Sequence, residues 1–310
     1  MDLRERIAGG LYGLLIGDAL GVPYEFHEPS EIPKEAEIEF NPPTGFVRAH
    51  AHIQAGTWSD DGAQALCLLS SLLECKGLDL HNLGEKFLAW YDRGYMAVDA
   101  HVFDIGITTR TALAAIRSGV PAEQAGPRGL QDNGNGSLMR VLPLALWHRG
   151  PDEELVDLAQ RQSTVTHGHI RSQVCCALYC LWARCIMQDK RNPWEGAVSS
   201  LRQIYAKQPD YLEELETAIQ PDNPPPGKGT GYVVDCLFSA LAVQNHNRFE
   251  KVVKQAILLG RDTDTTACVA GGIAGLRFGI SAIPQKWRNA LRGQELVEPL
   301  LIELLLKLCR

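Results

Sequence analysis

Gly9, Gly13 and Gly17 recur at every fourth position in an otherwise apolar stretch, Gly9-Gly10-Leu11-Tyr12-Gly13-Leu14-Leu15-Ile16-Gly17-Asp18-Ala19-Leu20-Gly21. In an α-helix that spacing sets the three on one face. Glycine inside a helix is unfavourable by about 1 kcal/mol against alanine, so a stripe of glycines marks a face where side chains have no room. The backbone of another helix fills that room, and the stretch is predicted to be a central, tightly packed helix. It is no nucleotide fingerprint, because the GxGxxG spacing behind a strand is absent.

The rest of the chain reads the same way. Apolar residues recur at intervals of three and four. Leu66, Leu69, Leu72 and Leu73 form one stripe, Ile170 to Met187 a longer one, and Leu296 to Leu308 closes the chain. Breaks fall at Gly77, Gly94, Gly119-Val120-Pro121, Gly150-Pro151 and Pro221 to Gly231. There is no alternating run between hairpin turns and no repeat of constant period. The expectation is an all-α, compact multi-helix bundle with residues 1–310 as one domain. Asp222-Asn223-Pro224-Pro225-Pro226-Gly227 is read as a loop rather than a linker, because amphipathic helices and candidate site residues lie on both sides of it.

A chain of 310 residues, 45% of them hydrophobic, buries a large core without disulfide or metal staples. Lys plus Arg is 30 and Asp plus Glu is 37, a net charge of −7, which argues against a general nucleic-acid or anionic-membrane binder. The start, Met1-Asp2-Leu3-Arg4-Glu5-Arg6, is unlike a signal peptide. The apolar stretches read as interrupted before the roughly 18 residues of a membrane span. Nine cysteines are scattered, and Cys175, Cys176, Cys180 and Cys185 contain no CxxC pair. They are expected to be buried apolar side chains in a reducing cytoplasm.

Two acidic clusters carry the chemistry. Gly56-Thr57-Trp58-Ser59-Asp60-Asp61-Gly62 precedes a helix predicted to begin near Ala63, and Gly260-Arg261-Asp262-Thr263-Asp264-Thr265-Thr266 precedes one predicted over Ala267 to Phe278. Ser, Thr and Asp are favoured helix caps, and each acid taken singly is explained by capping. One cap needs one side chain, however, and adjacent carboxylates repel. If the clusters meet, they make an all-oxygen cage of four carboxylates and two hydroxyls, suited to hard cations such as Mg²⁺ or Mn²⁺. Asp262-Thr263-Asp264-Thr265-Thr266 also matches the DxDxT motif of haloacid-dehalogenase-like phosphatases, but that motif ends the first strand of a parallel sheet, foreign to a helical chain. An EF-hand is disfavoured too, since no glutamate stands at the twelfth position from Asp262.

Five motifs in series, Gly17-Asp18-Ala19-Leu20-Gly21 with Glu25, Ser59-Asp60-Asp61, Gly134-Asn135-Gly136-Ser137-Leu138-Met139-Arg140, Thr166-His167, and Gly260-Arg261-Asp262-Thr263-Asp264-Thr265, resemble the ADP-ribosylglycohydrolase family. The resemblance spans about Ile7 to Trp287. It implies an all-α fold with a binuclear centre of two Mg²⁺ or Mn²⁺ ions, and removal of ADP-ribose from modified protein side chains. Carried over, the metal ligands are Ser59, Asp60, Asp61, Asp262, Asp264 and Thr265, and Glu25, Asp60 and Asp61 are the candidate catalytic acids. Glu25 would sit on a mobile segment over the metals. The sequence departs from the family at one point: Thr-Asp-Asp-Thr is common there, and here it reads Ser59-Asp60-Asp61-Gly62.

The remaining candidates each have two readings. The Gly134-Asn135-Gly136-Ser137 turn precedes a helix predicted over Leu138 to Trp147, with Ser137 as its cap. Glycines there also let backbone N–H groups converge on a phosphate, and within the resemblance Gly134, Asn135, Gly136 and Ser137 hold the diphosphate of ADP-ribose. No Walker lysine follows. His167 is an ordinary core or surface histidine by itself and a contact to the distal ribose or phosphate by the resemblance. Asp104, in Phe103-Asp104-Ile105-Gly106-Ile107-Thr108-Thr109-Arg110, either caps the helix that reaches Ser118 or faces the guanidinium of a modified arginine, where a carboxylate pairs well with the planar fork. Tyr232 is a pocket aromatic or ordinary core, and Trp58 is read as packing. The expected substrate is arginine-linked ADP-ribose on a protein, with serine-linked ADP-ribose or O-acetyl-ADP-ribose, or an inactive ADP-ribose-binding role, as alternatives. ADP-ribose is the expected product, and neither nucleic acid nor membrane is an expected partner.

Overall fold

In the computed structural model, which describes residues 1–307, helix follows helix. They are α1 (Leu3–Gly21), α2 (Asp60–Cys75), α3 (Leu80–Arg93), α4 (Ile107–Arg117), α5 (Ala122–Ala125), α6 (Leu142–Trp147), α7 (Asp152–Thr164), α8 (Ile170–Met187), α9 (Pro193–Tyr205), α10 (Pro209–Glu213), α11 (Val233–Ala242), α12 (Phe249–Ile257), α13 (Thr263–Phe278), α14 (Gln285–Ala290) and α15 (Gln294–Lys307). Among the described residues there is no β-strand, only an isolated antiparallel bridge between Gly134 and Tyr232. The all-α expectation is met, and without a parallel sheet the phosphatase reading of Asp262-Thr263-Asp264 has no scaffold.

The glycine stripe has found its partner. Helix α13 runs antiparallel to α1 and carries small residues at the same interval. A Cβ on Gly9 would lie 2.3 Å from the Gly275 carbonyl oxygen, one on Gly13 2.3 Å from that of Gly271, and one on Gly17 2.0 Å from that of Ala267. The relation is reciprocal, since a Cβ on Gly275 would lie 1.9 Å from the Gly9 oxygen. The two backbones touch, and α1 is buried along almost its whole length. The segment Leu3–Tyr24 is long and apolar enough to cross a membrane by length and composition, contrary to the sequence reading, yet its apolar 18-residue window is wholly buried inside the protein. The rest of the core, including Leu66, Leu69, Leu72 and the face of α8, closes around this pair.

Element boundaries shift where local chemistry is specific. Helix α6 starts at Leu142 rather than Leu138, with Pro143 in its first turn, where proline's missing N–H is harmless and its φ is already helical. Helix α13 starts at Thr263, so the second acidic cluster forms its first turn rather than preceding it. The Asp222-Asn223-Pro224-Pro225-Pro226-Gly227 stretch is a loop, and a Cβ on Gly227 would meet the Ser239 backbone at 2.3 Å. Leu308, at the end of the predicted last helix, lies outside the described residues. The eight described cysteines are free, and all but Cys75 are buried.

Candidate active site

The contact between α1 and α13 determines where the acids lie. It brings the N-terminal turn of α13 against the C-terminal turn of α1, where a Cβ on Gly21 would sit 2.4 Å from the Asp264 Cα and the Thr263 hydroxyl donates to the Gly21 carbonyl at 2.8 Å. Asp18, one turn earlier on α1, reaches the start of α2. Its carboxylate accepts from the Ser59 N–H at 2.9 and 3.1 Å and from the Gly62 N–H at 2.8 Å. Three helix ends thus converge, and two of them are N-termini, whose first N–H groups have no partner within the helix backbone and whose field favours negative charge.

Capping accounts for one side chain only. The Ser59 hydroxyl accepts from the Asp61 N–H at 3.3 Å and caps α2. Asp262 stands at the cap position of α13 without making a capping bond. It accepts instead from the Asn135 side-chain amide at 2.7 Å. Asp60 accepts from the Gln64 amide at 3.0 Å, and the Gln64 carbonyl oxygen accepts from the fully buried Arg140 at 3.0 Å. Asp61 joins the two clusters directly, because its Oδ1 accepts from the Thr265 hydroxyl at 3.2 Å. The Asp264 Oδ1 accepts from the Thr265 N–H at 2.8 Å.

These side chains surround a cavity of about 550 Å³ lined by Glu25, Asp60, Asp61, Asp104, Gly134, Asn135, Gly136, His167, Asp262 and Thr265, among others. Glu25 is buried, and its Oε2 lies 2.7 Å from the His50 Nε2. Its segment is tied to the second cluster by the Phe26 N–H donating to the Arg261 carbonyl and the Arg261 N–H to the His27 carbonyl, both at 2.7 Å. Phe26, His50, Asp104 and Arg261 all hold positive φ, between 46° and 64°. Non-glycine residues reach that region at a cost, and such strain concentrates at functional sites. The His167 ring seats under the glycine turn, where a Cβ on Gly136 would come within 2.7 Å of it. Burial first, and then the Arg140 cation, push His167 down to about 3, so its imidazole is neutral.

Several sequence readings are corrected. Ser137 is fully buried and turned from the cavity, its hydroxyl accepting from Ser163 at 2.8 Å. It caps no helix, since α6 begins later. Tyr232 is 39% exposed and its hydroxyl accepts from Arg171 at 3.1 Å. The neighbouring Gly231 lines the cavity instead. Asp104 is not a cap, because Gly106 precedes α4. Trp58 is buried and packs as expected, its indole N–H donating to the Met96 carbonyl. A Cβ on Gly62 would come within 2.8 Å of Leu15 and Trp58, so this departure from the family pattern fits a space those two side chains fill. Sequence reasoning passed over Asp18 and His50 as site residues. A carboxylate in a wholly buried apolar helix was the signal for Asp18, and His50 carried none.

Seven carboxylates therefore lie together, from Asp18, Glu25, Asp60, Asp61, Asp104, Asp262 and Asp264. Burial, and after it their mutual repulsion, holds Asp60, Asp61 and Asp264 well above the ordinary carboxylate range. Burial raises Asp18 to about 7 and Asp104 to about 6. Asp61 Oδ2 and Asp264 Oδ2 are buried with no hydrogen-bond partner. Orphaned anionic oxygens in a dry site are costly unless a cation takes them. One oxygen each from Asp18, Asp61 and Asp264 lies within 4.8 Å of the others, as does one each from Glu25, Asp262 and Asp264. The residues present fit a hard-cation site.

Without a cation, protonation is the other relief. An acid whose pKa in the fold exceeds its unfolded value near 3.8 binds more protons folded than unfolded between the two values, so stability falls as pH rises through that window. With Asp104 near 6 and Asp18 near 7, the chelated protein is expected to melt at a lower temperature at pH 8 than at pH 5. Saturating Mg²⁺ should remove most of the difference. Melting curves at both pH values, with chelator and with Mg²⁺, check this; a chelated protein more stable at pH 8 contradicts it.

The comparisons agree with this geometry. A sequence profile described as ADP-ribosylglycohydrolase matches residues 1–310. The ADP-ribosylarginine hydrolase Tri1 of Pseudomonas putida is 31% identical over 97% of this chain and 78% of its own length. The ADP-ribosyl-[dinitrogen reductase] glycohydrolase of Rhodospirillum rubrum is 26% identical over 94% of this chain and 91% of its own. A solved structure titled ADP-ribosylglycohydrolase-related protein complex superposes with a TM-score of 0.77 at 30% identity, covering 98% of each chain. With its sequence, its helical scaffold and its buried acidic centre in accord, the chain belongs to the ADP-ribosylglycohydrolase family.

Proposed function

We propose that this protein hydrolyses the bond between the anomeric carbon of the distal ribose and the guanidinium of an ADP-ribosylated arginine on a protein, releasing ADP-ribose. The observation that carries this is Asp104. Its carboxylate is held in a strained backbone conformation on the cavity wall, with no cap to make and no ion pair to a Lys or Arg among the described residues. A guanidinium entering the cavity supplies the missing partner as a charge-assisted fork. Relatives named for ADP-ribosylarginine hydrolysis at 31% and 30% identity support the same reading.

In this reading Ser59, Asp60, Asp61, Asp262, Asp264 and Thr265 hold two Mg²⁺ or Mn²⁺ ions. Bound there, the cations supply Lewis acidity toward the ribose hydroxyls and water. The protein's own residues do the rest. The Gly134-Asn135-Gly136 turn receives the diphosphate through backbone N–H groups. The neutral His167 beneath it offers a hydrogen bond to the ribose or phosphate without adding charge. Glycosidic cleavage builds positive charge on the sugar, which the surrounding carboxylates stabilise, and the departing nitrogen must be protonated. Glu25 lines the cavity beside the acids and is the side chain we assign to deliver that proton; in the metal-free protein, burial and the neighbouring Asp104, Asp262, Asp60 and Asp18 raise it. The free described thiols fit a reducing cytoplasm.

Release of ADP-ribose from arginine-linked and serine-linked substrates, assayed side by side with Mg²⁺ or Mn²⁺ and with chelator, tests the proposal. Faster release from the serine conjugate moves the reading to O-linked substrates, and binding of ADP-ribose without release from any conjugate makes the protein a binder. Asp104→Asn is expected to lower kcat/KM on the arginine conjugate by about 1.5–3 kcal/mol, the worth of a hydrogen bond to a charged group. The dissociation constant for free ADP-ribose, which lacks the guanidinium, should barely move. Equal losses in both would assign Asp104 to the sugar or the local fold.

A further inference from the structure

We propose that Glu25, His50 and Asp104 form a further metal site beside the acidic centre, with Glu25 common to both, one that takes a cation accepting an imidazole nitrogen, with Zn²⁺ the best match. One ligand atom from each residue lies within 4.8 Å of the other two. His50 Nε2 and Glu25 Oε2 are already 2.7 Å apart. Zinc bonds to nitrogen and oxygen of about 2.0–2.2 Å in a tetrahedron place ligand atoms about 3.3–3.5 Å apart, so small side-chain movements close the triad around an ion. Glu25 is buried, while His50 and Asp104 are half-buried, which leaves the fourth position reachable from the cavity.

Glu25 is common to this site and to the acidic centre, and the imidazole distinguishes the two. That centre offers oxygens only, the preference of Mg²⁺. Here an imidazole stands between two carboxylates, a combination suited to borderline cations. Among the described residues neither carboxylate forms an ion pair with Lys or Arg, and the hydrogen bond from His50 is the one partner Glu25 has across the rim. Two more imidazoles lead outward, His52 with its ring 6.4 Å from that of His50 and His101 5.7 Å from His52. They form a path along which such a cation can be handed in. The functional consequence rests on the reading above. Asp104 cannot hold a guanidinium and a cation at once, and Glu25 cannot deliver a proton while it ligates, so the ion competes with substrate.

The test uses binding rather than turnover. The full chain saturated with Mg²⁺ is titrated with Zn²⁺ by calorimetry and, separately, with Cu²⁺ read by pulsed EPR for nitrogen-14 modulation. Losing a mere outer-sphere partner of a metal lowers affinity about 10–100-fold, so His50→Asn, which removes a ligand, should weaken Zn²⁺ by about tenfold or more. It should also abolish the nitrogen modulation. Asp104→Asn leaves the imidazole in place and should weaken Zn²⁺ while keeping the modulation, which holds the proposal open to test if His50→Asn folds poorly. Zn²⁺ binding equally tight in either variant places the ion at the oxygen-only centre and overturns the proposal. So does nitrogen modulation that survives His50→Asn. No substrate enters either measurement, so this result and the fate of the arginine reading are independent.

Discussion

Asp61→Asn is expected to cut hydrolysis of the preferred ADP-ribosyl conjugate by about a thousandfold or more, while leaving the metal-free protein as stable as wild type or more so. The first half follows from the charge Asp61 brings. Its Oδ2 is buried without a partner and its Oδ1 touches Thr265 of the opposite cluster, so it is the side chain most directly shared between the two halves of the centre. Charge stabilisation at such a site is worth several kcal/mol, and about 4 kcal/mol is a thousandfold in rate. The second half follows from repulsion. Burial first, and then Asp18, Asp60, Asp262 and Asp104, push the Asp61 carboxyl toward its neutral form. An amide of the same shape removes that charge, keeps the acceptor for Thr265 and turns a donor toward the remaining acids. With metal present the order reverses. A ligand at a hundred times its dissociation constant stabilises the folded state by about 2.7 kcal/mol, and the variant should lose much of that gain. Product release, together with melting temperatures in chelator and in Mg²⁺, separates the two halves. If the variant unfolds and chelated wild type unfolds with it, the metal is a structural staple and the catalytic reading of Asp61 fails.

The residues of this centre were visible in the sequence to very different degrees. The two acidic clusters stood out because each holds more carboxylates than a helix end can use, and the structure bears out that surplus, with Ser59 doing the capping and the acids left over. Asp18 was harder to see. It lies inside the first of the five family motifs, but it serves α2 from another helix, so its own neighbourhood does not reveal what it binds. His50 reaches Glu25 from a loop whose path depends on long-range contacts. Asp104 read equally well as a cap, and only the start of α4 at Ile107 decides against that. Ser137 and Tyr232 do not line the cavity, and for one reason. A motif orders residues along the chain but does not say which way a side chain in an irregular turn points, and in both cases it is the adjacent backbone that faces the cavity. The glycine stripe announced a close helix contact without its partner, because pairing is a long-range property, although Ala267, Gly271 and Gly275 carry the complementary interval.

That contact sets up the largest stability effect. Gly17→Ala is expected to destabilise the protein by about 3 kcal/mol or more, although alanine gains about 1 kcal/mol over glycine in helix propensity. Its methyl group would lie 2.0 Å from the Ala267 carbonyl oxygen and 2.6 Å from the carbonyl carbon. Both are backbone atoms of a helix held along its length, so no flexible side chain can yield. Overpacking a core with room to adjust costs about 1–3 kcal/mol. Here the adjustment is separation of two helices whose contact repeats at Gly9, Gly13 and Gly21, which moves the effect into the exceptional range above 4 kcal/mol for any larger residue, such as Gly17→Val. The damage should reach the chemistry as well. Ala267 is one turn from Asp264, and Asp18 is the next residue after Gly17, so parting the helices separates Asp18 and Asp61 from Asp264. Stabilisation by Mg²⁺ should therefore shrink together with the melting temperature. Gly77→Ala provides the comparison, because its nearest neighbour would be 4.0 Å away and its effect should stay within about 0.5 kcal/mol. Denaturant midpoints for the two variants, measured with and without Mg²⁺, decide the matter. If Gly17→Ala is tolerated as well as Gly77→Ala, the two helices do not touch through their backbones, and the placement of the acidic centre loses its physical basis.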